Sequence, residues 1–170
     1  MFNIGEKIVY PMHGAGVIES IEEREILGEK RKYYIMKMPI GDMQVMIPLD
    51  QMEEIGIRKV INFKEIKNVL DVLASETTKM HKNWNRRYRA NMELIKTGDI
   101  YEIAEVVRNL TLRDKEKGLS TGERKMLSNA RQILISEIVL VAEISEEEAI
   151  DLIEEVILKQ VEPTMPDAVL

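Results

Sequence analysis

The sequence predicts an α+β protein of two modules, a small β sheet or barrel followed by a compact all-α bundle of about five helices. Apolar residues come in short or alternating runs up to about residue 58, and from there to about residue 160 they recur at helical spacing. With 170 residues, 45% of them apolar, the chain is long enough for two small cores. We place the modules at residues 1–58 and 59–162, with a flexible tail at 163–170.

Four apolar runs indicate the strands of the first module. They cover residues 7–10, 16–21, 33–38 and 43–47. Glycine and proline turn signals separate them, and Gly14 and Gly16 permit positive φ or close backbone approach at the first turn. Four or five short strands within sixty residues are typical of a curled sheet or small barrel.

Capping residues mark the helices of the second module. The first helix is predicted from an apolar face over residues 63–73. The other four begin after a capping side chain, namely Asn83, Asp99, Ser120 and Ser145. Gly98 and Gly118 end the second and third helices.

The composition argues against an enzyme. There is no Cys, and the two histidines lack the spacing of a metal-ligand pair, so no metal or cofactor is expected. Phosphate-loop and nucleophile-elbow motifs are also absent. The first residues lack a secretion signal, and no apolar run reaches the ~18 residues of a membrane span, which predicts a cytoplasmic protein without membrane contact.

The net charge of −6 is unevenly distributed. Residues 143–170 carry nine acidic residues and one lysine, a net charge of −8, which leaves +2 for residues 1–142. This split is compatible with a surface for nucleic acid in the first part and an acidic, solvated segment at the end.

A cluster of cations surrounds Trp84, the one tryptophan of the sequence. Residues 78–92 contain no Asp or Glu, and their cations are Lys79, Lys82, Arg86, Arg87 and Arg89. Cations around a large aromatic side chain indicate a polyanionic partner that also offers an apolar contact, and nucleic acid fits both requirements.

Trp84 can also be interpreted as a residue of the helical core. With Tyr88, Met92 and Ile95 it forms an apolar stripe at helical spacing, and tryptophan is usually well buried. Its place in the first turn of a helix favours exposure instead. Cations in that turn oppose the helix dipole by about 0.3–1 kcal/mol, so an external phosphate would explain why they lie there.

A second group of cations brackets the turn at residues 118–122. Its members are Arg113, Lys115, Lys117, Arg124, Lys125 and Arg131. Taken alone, this group is typical of a solvated surface. If the turn packs beside Trp84, the two groups form one basic surface that holds phosphates without reading sequence, while Trp84 wedges at a base step.

Three blocks of this sequence carry a family resemblance. GEKIVYPMHGAGVIESIEER, NWNRRYRANMELIKTGD and LRDKEKGLSTGERKMLSNARQIL occur in that order, and together they resemble the CarD family of bacterial transcription regulators over nearly the whole chain. The resemblance implies a Tudor-like N-terminal domain, related to the RNA polymerase interaction domain of transcription-repair coupling factor, that binds the polymerase β subunit. It also implies a helical domain that binds promoter DNA at the upstream edge of the transcription bubble.

Site residues follow from the same resemblance. The family tryptophan that wedges into the minor groove and slows bubble collapse matches Trp84. The DNA-contacting cations match Arg86, Arg87, Arg89, Arg124 and Lys125. A polymerase-contacting arginine matches Arg24, whereas a second such position is occupied here by Met46, which implies a weaker contact or one made more by strand pairing.

These observations favour a monomeric transcription-initiation regulator that stabilises the open promoter complex. Two alternatives remain open from the residues alone. One is an architectural DNA-binding protein that acts without polymerase, and the other is a protein interaction adaptor whose basic helix contacts an acidic partner.

Overall fold

The structure is a computed structural model that describes residues 1–159 and 165–166. It confirms the α+β fold, with a five-stranded antiparallel sheet followed by a helical module. The predicted tail at 163–170 lies, apart from residues 165 and 166, outside the described residues.

The sheet has the strand order β4-β3-β2-β1-β5. The strands are β1 (Lys7–Tyr10), β2 (Gly14–Ile26), β3 (Glu29–Lys37), β4 (Gln44–Pro48) and β5 (Arg58–Lys59). A short 3₁₀ turn at Leu49–Gln51 and the one-turn helix α1 (Met52–Ile55) precede β5. Neither was predicted, because four residues are too few to show a helical period.

The β2–β3 hairpin is longer than the sequence predicts. A two-residue turn joins the strands, with φ of 54° at Leu27 and 81° at Gly28, as a type I′ turn requires. The outer half of the hairpin is exposed on both faces and rich in charge, so it lacks the apolar alternation on which the prediction relied.

The core of the β module lies on one face of the sheet. It consists of Ile8, Ile18, Tyr34, Met36, Met38 and Ile47. Cross-strand pairing aligns Ile18 with Met36 and Tyr34 with Ile47, so these side chains stack in rows across the sheet.

Five further helices form the second module, as predicted. They are α2 (Glu65–Ala74), α3 (Trp84–Lys96), α4 (Ile100–Lys117), α5 (Thr121–Ala142) and α6 (Glu146–Lys159). Each predicted cap accepts a hydrogen bond from a backbone N–H of the first turn: Asn83 from Arg86, Asp99 from Tyr101, Ser120 from Glu123 and Ser145 from Glu148. Buried residues of α2, α4, α5 and α6 make one continuous core.

The long helix α5 also packs against the sheet. The Ala15 N–H donates to Ser136 Oγ at 2.9 Å, and a Cβ at Gly14 would lie 2.7 Å from the same oxygen. Gly14 has a φ of 108°, so both the backbone conformation and the close approach of α5 require glycine here.

An ion pair between a partly exposed arginine and a buried carboxylate joins the two modules. The Arg58 guanidinium donates to both carboxylate oxygens of Glu137, at 2.8 and 2.9 Å, and to the carbonyl of Gly98. Glu137 is 2% exposed and also accepts the Ile61 N–H. The bidentate geometry fixes the orientation of β5 relative to α5.

Within the described residues, no helix is both long enough and apolar enough to cross a membrane.

We predict that Arg58→Ala destabilises the protein by about 3 kcal/mol, because it leaves the buried Glu137 carboxylate without its counter-ion. Urea unfolding of the full chain measures this cost. Lys67→Ala is the matched control, since it removes one exposed pair with Asp71 and is expected to cost at most about 0.5 kcal/mol. Equal effects of the two substitutions would contradict the structural role of Arg58.

Candidate nucleic-acid interface

Trp84 is the first residue of α3 and is 41% exposed. Its indole Nε1–H donates to Ser120 Oγ at 2.8 Å, and its ring stacks on Tyr88 with centroids 5.1 Å apart and planes 22° from parallel. Further along α3 the stripe turns inward, with Met92 half-buried and Ile95 fully buried. Trp84 is therefore the exposed end of a stripe whose other end belongs to the core.

The turn between α4 and α5 packs beside the start of α3, which is the arrangement that the basic surface requires. A Cβ at Gly122 would lie 3.4 Å from Cζ2 of Trp84. The first turns of α3 and α5 consequently meet at one end of the helical module. Because a helix N-terminus carries partial positive charge and free N–H groups, this end attracts anions.

Arg87 departs from the sequence prediction. It is 4% exposed and forms a two-point ion pair with Glu123, in which its Nε and Nη2 donate at 2.7 and 3.1 Å. Its Nη1 donates to the carbonyls of His81 and Lys82. With its donors engaged inside the fold, Arg87 is not available to hold a phosphate in this conformation.

The spacing of residues in α3 indicates from the sequence that Arg87 lies on the buried face of this helix. Arg87, Asn91 and Ile95 recur every four residues, so they share one face of α3, and all three are buried. Glu123 occupies the capping-box position three residues after Ser120, and it lies 2% exposed against α3. The spacing identifies the buried face, but nothing in the sequence alone pairs Arg87 with Glu123.

Four of the predicted cations are exposed and form no ion pair within the described chain: Arg86, Arg89, Arg124 and Lys125. Helical spacing places Arg86 and Arg89 on the side of α3 away from Trp84. Arg124 and Lys125 lie in the first turns of α5. These cations therefore lie in the first two turns of the helices that meet at Trp84, but Arg86 and Arg89 do not share the face of α3 that carries the indole.

Arg131, from the second group of cations, does not join this surface. Its Nη2 lies 3.6 Å from a carboxylate oxygen of Glu154 on α6. With Arg131 excluded, the second group contributes only the cations at the C-terminal end of α4 and at the start of α5.

The structure brings the two predicted polymerase-contacting residues to one face of the sheet. Arg24 of β2 is paired with Arg31 of β3, and Met46 of β4 is paired with Ile35. Since residues 31 and 35 of β3 point to the same side, Arg24 and Met46 do so as well. Both are exposed, and the outer edge of β4 pairs with no other strand in the described part of the chain.

Comparison with known proteins matches each module to a family. Residues 2–61 match the model of the CarD-like/TRCF RID domain, and residues 68–154 match the model of the CarD C-terminal domain. The chain is 45% identical over 148 residues to a Bacillus subtilis (strain 168) protein named "Putative transcription factor YdeB", covering 87% of this chain and 97% of that protein. The chain belongs to the CarD family.

In this CarD-family transcription factor, each of the two family matches covers one of the surfaces described above. The match to the domain of coupling-factor type spans all five strands, including Arg24 and Met46, and identifies the N-terminal module as one of the RNA polymerase-interacting type. The C-terminal match contains Trp84, Arg87 and Glu123.

The ion pair between Arg87 and Glu123, close to Trp84, shifts the pKa values of both of its members. Hydrogen bonds from Arg87 lower the pKa of the Glu123 carboxyl against the opposing effect of burial, and the same hydrogen bonds raise the pKa of Arg87. The pair therefore stays ionised at neutral pH, and each charge is neutralised by the other.

We predict that Arg87→Ala costs about 3–5 kcal/mol of unfolding free energy, because Glu123 is left as a buried charge without a partner. Arg86→Ala is the neighbouring control and is expected to change stability by no more than about 0.5 kcal/mol. Chemical unfolding of both variants at neutral pH measures the difference. A tolerated Arg87→Ala would contradict the buried-pair assignment.

The difference in stability between the natural protein and Arg87→Ala is also expected to depend on pH. Because the folded-state pKa of Glu123 lies below its unfolded value of about 4.3, the contribution of the pair is complete above that pH and is lost as the pH falls through the folded pKa. The gap in stability between the natural protein and Arg87→Ala is therefore expected to narrow below about pH 4.

Proposed function

We propose that this CarD-family protein regulates transcription initiation by holding the open promoter complex. The N-terminal module binds the β subunit of RNA polymerase, and the helical module binds promoter DNA at the upstream edge of the bubble. Trp84 wedges into the minor groove and slows bubble collapse. The observation that carries the proposal is an exposed, immobilised indole between two helix N-termini, in a chain that matches the family over both modules.

The contacts of Trp84 support an apolar wedge. Tyr88 backs one part of the ring and Ser120 fixes its orientation, so little side-chain freedom is left to lose on binding. Since the indole N–H already donates to Ser120, the exposed ring offers stacking and apolar contact but no free donor for a base edge. Such a wedge unstacks a base step with little base discrimination.

Phosphate contacts would hold the wedge in register. Arg86, Arg89, Arg124 and Lys125 lie in the first two turns of the helices that meet at Trp84, and their charges are uncompensated within the described chain. The converging N-termini of α3 and α5 add partial positive charge at the same end. These contacts position the protein on the duplex without reading its sequence.

The sheet supplies the polymerase contact in this proposal. β4 is an edge strand with free backbone donors and acceptors, so a strand of the β subunit can extend the sheet there. Met46 lies on β4 itself, and Arg24 lies on the same face of the sheet but on β2, two strands from this edge. In the proposal both side chains contact the bound partner. Met46 offers apolar contact where, as the family resemblance implies, some members carry an arginine.

Because the protein binds polymerase and DNA at the same time, weak contacts with DNA are sufficient for its function. Once the sheet is bound to polymerase, DNA binding becomes intramolecular and needs little intrinsic affinity. About 1.4 kcal/mol of preferential binding to the open complex shifts the promoter equilibrium roughly tenfold. Each monomer therefore needs only one wedge and a few phosphate contacts. In this proposal the protein acts as a monomer in the cytoplasm.

We predict that Trp84→Ala removes most of the increase in open-complex lifetime while polymerase binding stays unchanged. Trp84→Phe is the graded control, since it keeps a flat apolar ring but loses the bond to Ser120, and it is expected to retain part of the effect. Lifetimes of promoter complexes after competitor challenge provide the measurement. Full activity of Trp84→Ala would reject the wedge, and tight duplex binding with no polymerase bound would favour the architectural alternative.

We predict that the double variant Arg86→Ala/Arg89→Ala binds free duplex DNA more weakly. The slope of log binding affinity against log salt concentration should become less steep by about 1.8, because each lost phosphate contact reduces its magnitude by about 0.9. Lys67→Ala/Lys96→Ala removes the same charge from α2 and from the far end of α3, and is expected to leave the slope unchanged. Identical slopes for the two double variants would exclude Arg86 and Arg89 from the DNA surface.

A further inference from the structure

The linker between α2 and α3 is bound to α4 by a hydrogen-bonded side-chain network. The Thr78 N–H donates to Asn109 Oδ1 at 3.2 Å, and Asn109 Nδ2 donates to Thr78 Oγ1 at 2.7 Å. The Thr78 hydroxyl in turn donates to Glu105 at 2.8 Å. Asn109 is 2% exposed, so the linker is attached to a rigid, buried group.

A cleft of about 200 Å³ remains open between this linker and α4. Three cations line it, Lys79 from the linker and Arg113 and Lys117 from α4, against one carboxylate, Glu116. Thr77 adds a hydroxyl, and the buried Asn109 closes the wall of the cleft. None of the three cations forms an ion pair in the part of the chain that the structure describes.

Arg113 is the most informative of these cations. Its Nε is buried and has no hydrogen-bond partner among the described residues, in contrast to the fully engaged Arg87. A buried N–H without an acceptor is costly, and an anion that accepts from the Arg113 Nε–H would lower that cost. The planar guanidinium also matches the geometry of phosphate oxygens.

The cleft lies at the same end of the helical module as Trp84. The positive charge of Arg113 helps to lower the pKa of Glu123, whose carboxylate accepts from the Ser120 hydroxyl that holds the indole. Lys79 also lines an adjoining cavity of about 140 Å³ that reaches Arg87. A phosphate bound in the cleft would therefore sit close to the wedge.

We propose that this cleft is a phosphate-binding site, formed by Lys79, Arg113 and Lys117 with the hydroxyl of Thr77. The ligand chemistry is a phosphodiester or phosphomonoester oxygen cluster, recognised by charge-assisted hydrogen bonds and not by base edges. Two sources supply such a group. One is the DNA backbone beside the wedge, which rests on the function proposed above, and the other is a free phosphate-bearing small molecule.

The test compares Lys79→Gln/Lys117→Gln with a control, Lys32→Gln/Lys64→Gln, in the full chain. All four lysines are exposed, so both variants should fold and carry the same charge. One arm measures the salt dependence of binding to free duplex DNA. The other measures the thermal midpoint with sodium pyrophosphate at constant ionic strength. Neither arm needs polymerase or Trp84, so a failure here is separable from a failure of the wedge.

Two results support the site and identify its ligand. If the salt slope of the cleft variant falls by about 1.8 while the control keeps the natural slope, the DNA backbone occupies the cleft. If pyrophosphate raises the midpoint of the natural protein and of the control but not of the cleft variant, a free phosphate ligand binds there. If the cleft variant matches the control in both arms, the proposal is overturned.

Discussion

The buried ion pair between Arg87 and Glu123 is the interaction on which the candidate DNA surface depends. It fixes the first turn of α3 against the first turn of α5, and it does so with almost no exposure of either side chain. Ser120 connects the pair to the tryptophan, because its hydroxyl accepts from the indole, accepts from the Glu123 N–H and donates to the Glu123 carboxylate. A cation that looks like a phosphate ligand therefore serves to place the aromatic ring.

The cations around Trp84 have two different roles in the structure, although the sequence alone does not distinguish them. Arg87 is neutralised inside the fold, while Arg86 and Arg89 remain in solvent. Buried charge supplies a fixed geometry, and exposed charge supplies attraction to a polyanion. The ion pair between Arg58 and Glu137 acts similarly at a larger scale, since it fixes the polymerase-type module relative to the helical one. The proposed action of Trp84 on DNA, with the protein anchored through its other module, requires that this relative position is held.

The sequence predicted the helical module well because four of its five helices begin at a predicted capping residue and the first has a clear apolar face. Caps such as Asn83 and Ser120 depend on residues three positions away, and such patterns are legible without tertiary information. The first-turn location of Trp84 likewise predicted its exposure correctly. What could not be predicted involves distant partners. Arg87 and Glu123 are 36 residues apart, and Arg58 and Glu137 are 79 apart, so no local pattern links them. The charged outer half of the β2–β3 hairpin was missed because it buries neither face.

A structure of the open promoter complex with polymerase, determined by electron cryomicroscopy, tests the central claim most directly. The account predicts the β module on the β subunit and the indole of Trp84 inserted in the minor groove at the upstream edge of the bubble, still within hydrogen-bond distance of Ser120. An indole turned away from the DNA, with the helical module bound elsewhere, would contradict it.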